Sequence, residues 1–171
     1  MKGFTLEETI DAFAALYRLW ILGFVEKLMN MPGTMPDAGF AILMMLNAYP
    51  EMIAQLTGHT GDKPSLFKAG LVEIFPEVKG DREDEVCTHL YSYMRSCLAH
   101  MSLTGENILL SEDFPKALTA GEPGGKLLVV VNPRKWCETI LQHFDHYIEE
   151  LKNPRNTALR QKFYERLQKP L

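Results

Sequence analysis

The chain writes out its helix starts, and this constrains it to a helical class. Thr5 and Glu8 stand three apart ahead of an apolar run, the pattern in which a hydroxyl and a carboxylate each take up a free N–H at a helix N-terminus. Asp81 precedes Glu83, Asp84 and Glu85, acids suited to the positive end of a helix. Asn132-Pro133 and Asn153-Pro154 each join a capping side chain to a proline, whose missing N–H is no loss in a first helical turn.

Apolar residues follow these starts at helical spacing. The first helix is expected to run to about Asn30 on the core stripe Leu6, Ile10, Phe13, Tyr17, Trp20, Phe24 and Leu28. A loop over 31–36 leads to a second helix from about Asp37 to about Thr57, which Pro50 kinks or breaks. A short helix covers Ser65 to Phe75, and the helix capped by Asp81 runs to about Ser102, with Gly105 as its stop. Asn132 opens a helix to about Lys152 on the stripe Trp136, Ile140, Phe144 and Leu151, and Asn153 opens the last, to Gln168. Asn107–Ser111 and Lys126–Val131 read as two strands, the second rich in valine, with a Gly- and Pro-rich turn over 120–125 between them. The expectation is an all-α fold: one domain over all 171 residues, a bundle of four to six helices with a β-hairpin insertion at about 107–131. The hairpin would pack through Leu109, Leu128 and Val130.

The net charge of −4 rules out a generally basic nucleic-acid binder. The balance is uneven, since Lys152, Arg155, Arg160, Lys162, Arg166 and Lys169 face one acid, Glu165, near the C-terminus. Such a segment suits RNA or an acidic partner, or is a solvated helix face. No uncharged apolar run is long enough to span a bilayer, so no membrane role is expected. Glu7, Glu8 and Asp11 lie where a targeting peptide carries no acids, which points to a cytoplasmic location. Cys87, Cys97 and Cys137 are odd in number and scattered, which argues against a disulfide framework. Cys97 with His100 and His143 with His146 have a spacing that two facing helices would need to share a zinc ion. The core position of Cys97 and the lack of a short knuckle weigh against it. No phosphate loop, Ser or Cys elbow, or H-E-x-x-H is found, so neither cofactor nor metal is expected.

The chemistry-bearing candidates sit on the helix after Asp81, in the stretch Tyr91-Ser92-Tyr93-Met94-Arg95-Ser96-Cys97-Leu98-Ala99-His100. On a helical wheel Val86, Leu90, Tyr93, Met94, Cys97 and Met101 form the core stripe. Arg95 then lies opposite that stripe and His100 on its flank, about 140° apart, with the small residues Thr88, Ser92, Ser96 and Ala99 between. A guanidinium is a permanent two-pronged phosphate binder, and an imidazole moves protons near neutral pH. Ser96 is one turn from His100 and can orient it. At 140° the two do not form an efficient pair within one helix. A site using both needs a distorted helix or a second copy. The plain alternative is a surface arginine and a histidine capping the last carbonyls.

Arg95 and His100, with Ser96 more loosely, resemble the R-x4-6-H motif of the HEPN superfamily (higher eukaryotes and prokaryotes nucleotide-binding). Serine keeps the polarity of the position after the arginine, where that family most often has asparagine, aspartate or histidine. The resemblance implies an α-helical bundle, usually a homodimer. It implies either a metal-independent endoribonuclease, often a toxin or defence component with an antitoxin partner, or an inactive relative that binds a nucleotide or partner protein. In the active case the RNA's own 2′-hydroxyl attacks and leaves a 2′,3′-cyclic phosphate. His100 is then the general base or acid, Arg95 stabilises charge on the phosphate oxygens, and twofold symmetry assembles the cleft. The stripe Ala12, Leu16, Leu19 and Gly23, away from the first helix's core stripe, adds a surface on which two copies would meet. Two function classes remain: a ribonuclease of this type, favoured by the intact Arg95 and His100, and a non-catalytic dimeric binding module, favoured by Ser96 and the negative charge.

Overall fold

Two of the four expected helix starts, at Thr5 and Asn132, are kept by the molecule. In the computed structural model, which describes residues 3–31, 38–101 and 104–168, Thr5 Oγ1 accepts from the Glu8 N–H at 3.2 Å and Glu8 Oε2 accepts from the Thr5 N–H at 2.8 Å. This opens α1, Leu6–Tyr17. The chain passes through one π turn, Arg18–Leu22, into α2, Gly23–Asn30. The loop expected over 32–36, the helix start at Asp37 and the helix end at Ser102 lie outside the described residues, as do the side chains of Ala99 and Met101.

Next come α3, Gly39–Leu46, and α4, Tyr49–Leu56, divided at Asn47-Ala48 so that Pro50 sits harmlessly in the first turn of α4. Asp62, capping the Ser65 N–H at 3.0 Å, starts α5, Lys63–Ile74, slightly earlier than expected. The two pack as a close antiparallel pair. A Cβ on Gly70 would lie 1.9 Å from the Pro50 carbonyl oxygen, so only glycine fits there. The motif helix is α6, Glu83–His89, a second π turn, Leu90–Arg95, and α7, Ser96–Met101. Its N-cap position is Arg82, with no side-chain cap; Asp81 does not fill the role. Asn132 does cap α8, Pro133–Lys152, through the Lys135 N–H at 3.0 Å. Asn153 instead closes α8, and α9, Thr157–Gln168, begins a few residues later than expected.

The helical class with a small β element stands, and the element is richer than a hairpin of 107–111 with 126–131. β1, Ile108–Leu110, β2, Leu118–Gly121, and β3, Leu128–Val131, form a three-stranded sheet in the order β1-β3-β2. β1 and β3 run parallel, with Ile108 opposite Val129; the hairpin is made by β2 and β3, antiparallel, with Leu118 opposite Val131. β3 takes the centre because Val129, Val130 and Val131 are all buried, as a strand covered on both faces requires. Leu109, expected to pack inward, is exposed, while Ile108 is buried.

Both π turns shift the core phase. Before the first, Ile10 and Phe13 are buried as expected; after it Leu22, Val25 and Met29 are buried, and Trp20 and Phe24 are exposed. In the motif helix the buried residues are Val86, Cys87, Leu90, Met94 and Leu98, while Tyr93 is exposed and Cys97 half-buried. In each case the stripe moves on by one residue. The cause is visible in the backbone: the Gly23 N–H donates to the Arg18 carbonyl and the Ser96 N–H to the Tyr91 carbonyl, each five residues back. A turn closed by such bonds holds one residue more than an α turn, so everything beyond it is rotated by about 100°. The helices enclose a core centred on Trp136, stacked on Phe75 at 4.2 Å between ring centroids, and on Phe13, Phe144 and Phe163.

Candidate functional site

The second π turn decides what Arg95 touches. With the stripe now on Leu90, Met94 and Leu98, Arg95 no longer lies opposite the core but at its margin, and its side chain is 14% exposed. It reaches Glu51 in the first turn of α4. Nε donates to Oε1 at 2.5 Å and a terminal nitrogen to Oε2 at 3.1 Å, a two-pronged pair in which the glutamate is only 10% exposed. Glu51 stands in the first turn of α4, the end of a helix that suits an acidic side chain. The guanidinium carbon also lies 5.7 Å from the centre of the Tyr91 ring, which meets Phe67 edge-on at 5.6 Å. A surface arginine free for phosphate is therefore corrected to one whose fork is taken by a carboxylate of its own chain. It follows that Arg95→Ala does not leave folding untouched, because it strands a nearly buried glutamate.

The other motif residues are placed differently. His100, in the short helix α7, is exposed, and Ser96 is half-buried. Among the described residues no side-chain hydrogen bond joins Ser96 to His100, or either of them to Arg95, whose side-chain bonds both go to Glu51. Of the small-residue face, Thr88 and Ser92 line a cavity of about 380 Å³ with Ser65, Lys68 and Tyr91. Lys68 is held there by Asp84 and, at 3.2 Å, Glu83. Next to this face the half-buried His89 ring lies 4.6 Å from the Tyr93 ring, tilted at 44°.

A second polar constellation could not be seen in the sequence. Tyr49, fully buried, makes a 2.9 Å hydrogen bond with His143 Nδ1; His143 Nε2 lies 3.8 Å from Glu73 Oε1, and Thr57 Oγ1 donates to Glu73 Oε2 at 3.4 Å. Burial pushes the Tyr49 hydroxyl well above the usual tyrosine range, with Tyr17, Tyr147 and Glu73 adding to it, so Tyr49 stays protonated. Anchored on the fully buried Tyr49, this chain of groups ties α4, α5 and α8 together. It also takes His143 away from the zinc pairing with His146, which is exposed. Among the described residues no group of three or more His, Cys, Asp or Glu side chains is placed to hold a metal ion. Burial raises the Cys87 thiol to about 11 and the Cys137 thiol to about 12, so neither is a nucleophile near neutral pH.

Three of the six cations of the basic C-terminal segment are spent within the chain. Arg160 is buried, donating to the Leu151 carbonyl at 2.7 Å and pairing with Glu7; Arg166 donates to Gln55 at 2.8 Å, and Lys152 meets Asp11 at 2.7 Å. Lys169 lies outside the described residues. Among the described residues no helix is long and apolar enough to cross a membrane. The most conspicuous open surface is on the first helix, where Leu16, Leu19, Trp20 and Phe24 are 50%, 73%, 70% and 52% exposed. Compared with family models, with curated proteins and with solved structures, the chain matches none of them.

Proposed function

We propose that this chain is a non-catalytic helical module of the HEPN type, a homodimer that binds a nucleotide or a partner protein. The observation that carries this reading is the pair of Arg95 with Glu51. A phosphate approaching Arg95 would have to displace a carboxylate that already fills both prongs and is held at a helix N-terminus. The guanidinium is thus a structural cation joining the motif helix to α4. Incubation of the protein with RNA in the presence of EDTA should give no cleavage, and Glu51→Gln, which removes the competing charge, should not create any. Cleavage by the wild type that is lost in His100→Ala would overturn the reading.

The second reading is the metal-independent endoribonuclease, a toxin or defence component with an antitoxin partner. What favours it is the exposure of His100 at the end of the helix that carries Arg95. In that reading His100 takes or gives the proton of the 2′-hydroxyl attack, Ser96 positions it, and Arg95 trades Glu51 for the phosphate as charge develops. Loss of His100 would then cost about 10²–10⁴-fold in rate, and Arg95→Lys would not restore an Arg95 defect, since an ammonium lacks the planar fork.

A further inference from the structure

The first π turn leaves α1 and α2 with a face that no other described residue covers. Leu16, Leu19, Trp20 and Phe24 project from it, and a shallow apolar groove of about 330 Å³ runs beside them over Phe13, Tyr17 and Ile21. At their observed exposures these four side chains offer on the order of 500 Å² of apolar surface, as large as the largest patch on an ordinary monomer. We propose that this face binds a second copy of the chain, the two first helices crossing antiparallel about a twofold axis between Leu19 and Trp20. This deepens the homodimer in the reading above, and it is tested apart from the question of RNA cleavage.

Three observations select a second copy in this arrangement. The first is area: a twofold pair removes the patch twice, on the order of 1,000 Å² in all, which is where specific interfaces begin. The second is shape. A twofold between Leu19 and Trp20 sets each residue against the one whose number makes up 39 with it. Phe24 then meets Ala15, Leu16 meets Gly23, and Leu19 meets Trp20; all of these are exposed except half-buried Gly23. Each large side chain but the central two faces a small one, so the surface fits itself without voids or overlap. A parallel pair would set Phe24 on Phe24 and Ala15 on Ala15. The third is charge. Acids crowd the start of α1 and Lys27 stands exposed near the end of α2. The antiparallel register puts Lys27 against Ala12, one turn from the second copy's Glu8, and opposes the two helix dipoles.

Light scattering on the full chain at tens of micromolar should give twice the 19.5 kDa chain mass. Trp20→Glu, with its helical circular dichroism unchanged, should give the single-chain mass. The register is tested by exchanging sizes: Ala15→Phe should lower the dimer's apparent affinity at least tenfold, and Ala15→Phe with Phe24→Ala should restore it. A monomeric wild type overturns the proposal together with the homodimer. A dimeric Trp20→Glu protein overturns this face alone, and a double exchange no better than Ala15→Phe overturns the antiparallel register.

Discussion

The two helices that carry a π turn answer the same distortion in opposite ways. In the first, the extra residue sends Trp20 and Phe24 out to solvent and brings Leu22 and Val25 into the core. In the motif helix it brings Arg95 from the outer side to the core margin, where Glu51 receives it, and sends Tyr93 out. One rotation creates an apolar face with no partner among the described residues, and the other closes a charged face on itself. A π turn therefore has no fixed meaning of its own. Its effect depends on which side chains lie one position beyond the α-helical phase, and on whether another element waits to meet them.

The largest effect should come from testing the phase directly. Deleting Leu19 returns 10, 13 and 17 to a common α-helical phase with 22, 25 and 29, so it should change stability by no more than about 1 kcal/mol. Deleting Ala14 instead rotates Ile10 and Phe13 off the core and should cost about 4 kcal/mol or more. Urea unfolding of the two deletions, followed by circular dichroism, compares them; equal losses would break the account of the shifted stripes. The closed face comes next. Glu51→Ala leaves Arg95 nearly buried and unpaired and should cost about 3 kcal/mol, while replacing both partners, Glu51→Leu with Arg95→Met, should recover most of it. If the double replacement is as unstable as the single one, the pair is not what joins α4 to the motif helix.

Alkaline titration has a smaller effect. Cys87 and Cys137 are held protonated by burial, with folded values of about 11 and 12 above the ordinary thiol range. A raised folded value means that the native chain keeps protons the unfolded chain has released. This contribution is whole below about pH 9 and is lost as the pH climbs toward the folded values. Stability should fall over that window, and less steeply in Cys137→Ala. At pH 8 a thiol reagent should modify half-buried Cys97 and leave the other two until the chain unfolds. The smallest effect belongs to the open face: Trp20→Glu should move the stability of the single chain by less than about 0.5 kcal/mol, since the side chain has little to lose in water. A large loss would mean that the face is already covered within one chain.

What the sequence made legible was punctuation. The capping box at Thr5, the cap at Asn132 and the break near Pro50 are local chemistry, complete within a few residues, and the structure keeps all three. Phase was not legible past the π turns, because a turn closed five residues back leaves no mark in composition. The wheel held for Ile10 and Val86 and failed for Trp20 and Tyr93 for this reason. The partner of Arg95 was hidden by distance. Glu51 lies 44 residues away and reads as an ordinary acid at a helix start. Tyr49 and His143 are 94 apart. The parallel β1–β3 pair was missed because β2, only four residues long, makes the hairpin in its place.

Gly70 stands against the residue just before Glu51, and its missing side chain lets α5 press on the backbone of Pro50. The position of the carboxylate that meets Arg95 is thus gauged by a hydrogen atom on another helix, like a shim whose thickness sets an alignment farther along. Any larger residue at position 70 would push the start of α4 outward and draw Glu51 off its mark, changing the motif helix without touching it.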